Sequence, residues 1–196
     1  GLMLTLIGGG AASPVVAFYA VHHGLAKGAL FLLAGAVMGS AGRARMLLLS
    51  VGGVVALSVV GVPLTGGGAV KAAAKASLSD GLALAITASG TTTALILGWF
   101  LWRLARADAK PSAGVVFQRV SVASLSFAAV SGPWIFWPQE TELARGYAVS
   151  PGVVYAGLWP LALALALAIC MLLASRRKGW ALRSRDKPFE WPDPDG

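Results

Sequence analysis

The stretch Pro14–Gly39, PVVAFYAVHHGLAKGALFLLAGAVMG, is apolar apart from Tyr19, His22, His23 and Lys27. Its length matches the roughly 20 residues that a helix needs to cross a bilayer. Lys27 lies about midway along it, where a charged side chain costs about 3 kcal/mol on insertion scales. Ionisable residues held at such depth mark ion paths, proton relays or ligand counter-ions. Lys27 is therefore a candidate functional residue from the outset.

The rest of the chain has the same character. Its 196 residues are 57% hydrophobic and 12% charged, and mean hydropathy is +0.74, which excludes an ordinary soluble domain. A net charge of +8 would suggest nucleic acid in a soluble protein. Here the basic residues cluster between apolar runs and instead suggest membrane orientation, so no nucleic-acid partner is expected. The single cysteine, Cys170, excludes a disulfide framework and any cysteine-based metal or cluster site.

Full spans are predicted at about 14 to 39, 81 to 104, 117 to 138 and 151 to 174, with Gly1–Gly10 reading as the tail of a preceding crossing and the chain as a fragment. Residues 46 to 78 form a longer apolar stretch interrupted by Gly61-Val-Pro63-Leu-Thr65-Gly66-Gly67-Gly68 and followed by Lys71 and Lys75. It makes either one crossing with a broken middle, or a full helix followed by a short re-entrant one. A single net crossing gathers the basic groups Arg43/Arg45, Arg103/Arg106/Lys110/Arg119 and Arg176–Lys187 on one face, opposite Asp80, Glu140 and Glu142. Two net crossings scatter them, so the broken crossing is preferred and the basic tail, 176 to 196, is placed in the cytoplasm. The expected fold is an all-α membrane protein, a helical bundle with a discontinuous transmembrane helix and about five full crossings plus a partial N-terminal one.

Chemistry concentrates at two places. Tyr19, His23 and Lys27 recur at i, i+4 and i+8, so three proton-capable side chains share one helix face, while His22 points about 100° away. At the second place, Pro63 removes a backbone donor and the glycines Gly61, Gly66, Gly67 and Gly68 release the chain from helical geometry. Helix ends then lie at membrane depth, an arrangement tolerated only where it packs in protein or lines a wet cavity. Thr65 is a candidate partner for a freed backbone group, Lys71 a candidate proton carrier just inside the following half-helix, and Lys75 a lysine that snorkels to the interface or joins Lys71. The competing reading makes all of these lysines and histidines purely structural partners of carbonyls. The serines and threonines of the spans read mainly as helix glue. A haem site is disfavoured, because the two histidines are adjacent on one helix and cannot ligate opposite haem faces.

Read as strings, His23-Gly-Leu-Ala-Lys27-Gly-Ala-Leu30-Phe31-Leu32 and Gly61-Val-Pro63-Leu-Thr-Gly66-Gly-Gly-Ala-Val-Lys71 resemble two motifs of one family. It is the antiporter-like membrane subunits of respiratory complex I, shared with multi-subunit sodium/proton antiporters and membrane-bound hydrogenases. The resemblance covers residues 1 to about 105, and implies the end of the second of two inverted repeats, including broken helix 46 to 78. Residues 106 to 175 would add two trailing helices. It implies a proton relay through Lys27, with His23 as its companion, and Lys71 as the terminal lysine, with sodium left open as the ion. Implied partners are other membrane subunits of a larger complex, such as an NADH:quinone oxidoreductase in a bacterial inner membrane. No cofactor, metal or catalytic site is expected in the chain itself. This sequence departs from the family in having Gly67, Gly68, Ala69 and Val70 where bulky aromatics usually stand, and in lacking any acidic residue within a span.

Overall fold

A computed structural model of the chain describes residues 14–76, 78–108, 115–136 and 150–177. The expected partial N-terminal crossing and most of the basic tail, with Glu140 and Glu142, lie outside the described residues. Six helices follow one another: α1 (Pro14–Met38), α2 (Gly42–Val60), α3 (Gly66–Ala76), α4 (Asp80–Arg106), α5 (Val115–Ile135) and α6 (Pro151–Arg177). The described residues contain no strand. Four of these helices are long and apolar enough to cross a membrane: α1, α2, α4 and α6. The described residues are thus all-helical in architecture, and the four apolar helices make this a membrane-embedded protein.

Helix boundaries follow local chemistry. Gly61, in the left-handed region at φ 90°, ends α2 by donating its N–H to Leu57 O and Ser58 O, while Val62 N–H reaches Leu57 O at 3.0 Å. This is a Schellman arrangement, which satisfies carbonyls that the helix itself leaves unpaired. Pro133 and Pro160 sit inside α5 and α6, each removing one intrahelical donor.

Cross-helix bonds order the bundle. At one end, Arg119 near the start of α5 donates to Ser40 Oγ just past α1, at 3.2 and 2.8 Å. Arg45, in the first turn of α2, donates to the carbonyls of Leu104 (3.1 Å), Ala105 (3.3 Å) and Ala107 where α4 ends. The C-termini of α1 and α4 and the N-termini of α2 and α5 therefore meet, and bring Arg43, Arg45, Arg103, Arg106 and Arg119 to one end. Arg103 and Arg106 lie over the rings of Trp99 and Trp102, at 5.8 and 4.4 Å. Such rings and guanidinium groups suit the membrane–water interface.

Two cores stack along the axis. The one nearer the arginines joins Leu30, Leu33 and Val37 of α1 with Val55 and Val59 of α2, Leu104 of α4 and Val122 of α5. The other joins Tyr19 of α1 to Ala69, Val70 and Ala72–Ala74 of α3, with Phe18, Trp134 and Val153 packed against it. So α3 leads away from the arginine-rich end, onward from α2. Alanines dominate its buried face, which lets the short helix be enclosed by α1, α2, α4 and α5, with Val153 of α6 packed beside it.

Candidate functional site

The break between α2 and α3 lies inside this bundle and brings most of the polar residues together. Two helix ends face each other there. The amide end of α3 is capped twice. Thr65 Oγ1 accepts from Gly68 N–H at 3.2 Å and donates to Val62 O at 2.6 Å, the geometry of an N-cap. Gly67 N–H reaches across to Ser58 Oγ at 3.0 Å, so a hydroxyl in the last turn of α2 serves the first turn of α3. Ser58 also bonds His22 Nε2 at 3.0 Å, joining α1 to both. His22 and Ser58 are buried, at 3% and 0% exposure.

Lys71 closes the carbonyl end of α2. Its Nζ donates to Val60 O at 2.5 Å, and the residue is only 8% exposed. The ammonium thus occupies the negative pole of α2, where a cation is favoured. Its stem crosses Gly61 so closely that a Cβ there would meet Lys71 Cε at 3.1 Å and Nζ at 3.2 Å. Gly61 is needed for this passage as well as for its φ of 90°. Gly67 is needed for another close approach, since a Cβ there would overlap the Ser58 carbonyl oxygen. Gly66 and Gly68 face Pro133 of α5 and Pro63 of the break respectively. Leu64, at φ 68°, is the one non-glycine residue in the left-handed region among those described. Such a conformation costs about 1–2 kcal/mol and is held by the bonds on either side.

Beyond Lys71 a small pocket opens between α3, α4 and α6. Its walls include Lys71, Lys75, Thr87, Val153, Gly157 and Pro160, and it is large enough to admit a water. Gly90 of α4 passes the site closely, 3.8 Å from Lys71 Nζ to a Cβ built there, and Thr91 Oγ1 donates to Pro160 O at 3.2 Å. Lys75 is half-buried, on the pocket wall one turn past Lys71.

The other predicted group is divided. Tyr19 is buried at 4% exposure and stacks on His23, with ring centroids 5.8 Å apart and planes 19° from parallel. His23 is half-buried, whereas Lys27 is exposed on the outer face of α1. His22 rather than His23 therefore reaches the break. Ser58 and Gly90 are contacts that sequence reasoning missed, whereas Thr91 bonds across to α6 as a hydroxyl read as helix glue does. Ser58 lies three residues before Gly61, the one signal that could have marked it. No group of three or more histidine, cysteine, aspartate or glutamate side chains able to hold a metal occurs among the described residues. No family model, curated protein or solved structure matches the chain.

Proposed function

We propose that the chain is the C-terminal part of an antiporter-like membrane subunit and carries protons across the membrane through Lys71. The observation that carries this reading is a buried lysine at the meeting of two half-helices, beside a pocket wide enough for water. Broken helices at membrane depth recur in transporters, because freed backbone and half-helix dipoles act on the moving ion. Lys75 and Thr87 extend the polar wall from Lys71. In this reading α2, the break and α3 make one net crossing, as favoured by α3 leading onward from α2 beside the single helix α4. The arginine-rich end then faces the cytoplasm by the positive-inside rule, in a bacterial inner membrane. His22 and Ser58 hold the break, and Lys27, with His23 beside it, passes protons to Lys71 through waters. Redox chemistry belongs to partner subunits of the parent complex.

One observation favours a second reading, a structural subunit that moves no ions. Lys71 already serves as a cap on Val60 O, which is reason enough for a lysine there. Proton flux in proteoliposomes bearing the full complex separates the two. Replacing Lys27 or Lys71 by Ala abolishes flux if the first holds. Unchanged flux in both variants overturns it.

A further inference from the structure

Lys27 is thirteen residues from Pro14 and eleven from Met38, the two ends of α1. At 1.5 Å per residue it stands about 20 and about 16 Å from them. Its five-bond stem reaches about 6 Å, so snorkelling cannot bring the ammonium to either interface. It is nevertheless exposed, and no hydrogen bond or ion pair from the described residues reaches it. Lys71 meets the same penalty by bonding Val60 O, a solution that the outward face of α1 does not offer.

No counter-charge is at hand within the spans. Of the acidic residues, Asp80 begins α4 and Asp108 follows its end. The other six are Glu140, Glu142, Asp186, Glu190, Asp193 and Asp195, in segments that join or follow helix ends. Residues 1–13 carry no charged side chain. A second copy of this chain would set lysine against lysine. The face around Lys27 is shaped for a helix rather than for lipid chains alone: Ala17, Ala20, Gly24, Lys27 and Phe31 lie on one stripe and all are exposed. Nothing stands within 4 Å of a Cβ built on Gly24, so a second backbone can come close one turn from the lysine.

We infer that this stripe of α1 is the docking face for a transmembrane helix from outside these 196 residues, which carries an aspartate or glutamate at mid-span that pairs with Lys27. Ionisable groups inside membranes pair with one another, and the carboxylate is the partner that this face lacks. The proposal stands on the position and exposure of Lys27 and does not rest on proton conduction.

The test is photo-crosslinking in the native membrane with benzoylphenylalanine in place of Phe31, an exposed aromatic one turn from Lys27, so that the probe changes the face little. The expected adduct is a peptide from another apolar span with a carboxylate near its middle. Replacing that carboxylate by leucine lowers the yield at least tenfold, as does Lys27→Glu, and combining the Lys27→Glu change with carboxylate→Lys restores it. A probe at Val21 on the flank of the same face gives the same partner. Adducts to lipid alone, to this chain, or to a helix without a carboxylate overturn the proposal, as does a yield indifferent to the charge changes.

Discussion

Ser58→Ala removes one oxygen and breaks two connections that hold the helix break. The His22 Nε2 contact and the Gly67 N–H bond are both 3.0 Å long and buried. Side-chain bonds between membrane helices contribute about 0.6 to 1.7 kcal/mol. The amide is a different matter, because Gly67 lies in the first turn of α3 and has no intrahelical acceptor. An orphaned buried donor costs about 1–3 kcal/mol. The expected loss is therefore about 2–4 kcal/mol, measured as reversible unfolding in mixed micelles by the change in helical circular dichroism. Ser50→Ala is the control, since that hydroxyl is exposed and only bonds back to Met46 O in its own helix. A double-mutant cycle adds a sharper reading. His22→Leu alone costs less than Ser58→Ala, and with Ser58 already Ala it costs less again, because their shared bond is lost only once. The reasoning fails if Ser58→Ala falls within 0.5 kcal/mol of the Ser50 control, or if the two changes add without coupling.

Other expectations use the same unfolding assay. Gly61→Ala meets both a left-handed backbone and the Lys71 stem, and costs more than about 2 kcal/mol, whereas Gly53→Ala, with nothing within 4 Å, stabilises α2 by about 0.5–1 kcal/mol. Similar losses at the two sites would refute the close packing at Gly61. Arg45→Ala frees the carbonyls at the end of α4 and, with solvent screening taken into account, costs about 1–2 kcal/mol. Arg43→Ala, exposed two residues earlier, changes stability by less than about 0.5 kcal/mol. Lys71→Met leaves Val60 O unpaired and destabilises the chain by about 1–3 kcal/mol, while Lys27→Met leaves the isolated chain as stable as before or more so. Equal losses from the two lysines would contradict the difference in their surroundings.

The helices and the non-helical segment between α2 and α3 were legible in the sequence for distinct reasons. Apolar runs bounded by charge or glycine locate α1, α4 and α6, and α1 ends within one residue of expectation, whereas α5, expected as a full span at 117 to 138, is not among the four described helices long and apolar enough to cross a membrane. Pro63 and the glycines around it marked the interruption, because they remove a donor or permit a positive φ wherever they fall. Thr65 was identified as a backbone partner and became the N-cap of α3. Periodicity also paired Tyr19 with His23. It could not say which neighbour each face of α1 would meet. His22 and His23 differ by about 100° of rotation. Only the position of α2 makes the former a partner of Ser58. Leu64 shows another limit, since its left-handed backbone is imposed by bonds from Gly61 to Gly68, not by its own preference.

Lys27 and Lys71 share a side chain and a predicted depth, yet the fold treats them oppositely. Lys71 is compatible with this bundle because α2 stops at Val60 and presents an unpaired carbonyl, and because Gly61 lets the stem reach it. The break therefore supplies an acceptor that an unbroken helix would keep for itself. Along α1 no such acceptor exists, because the helix continues through Lys27 to Met38 and keeps its carbonyls engaged. A lysine on an uninterrupted helix must be answered by a side chain, and the described carboxylates, Asp80 and Asp108, stand at the two ends of α4 and not at mid-span. Depth in the sequence thus signals that a lysine needs a partner. The continuity of its own and neighbouring helices decides whether that partner is backbone within the chain or a charge from outside it.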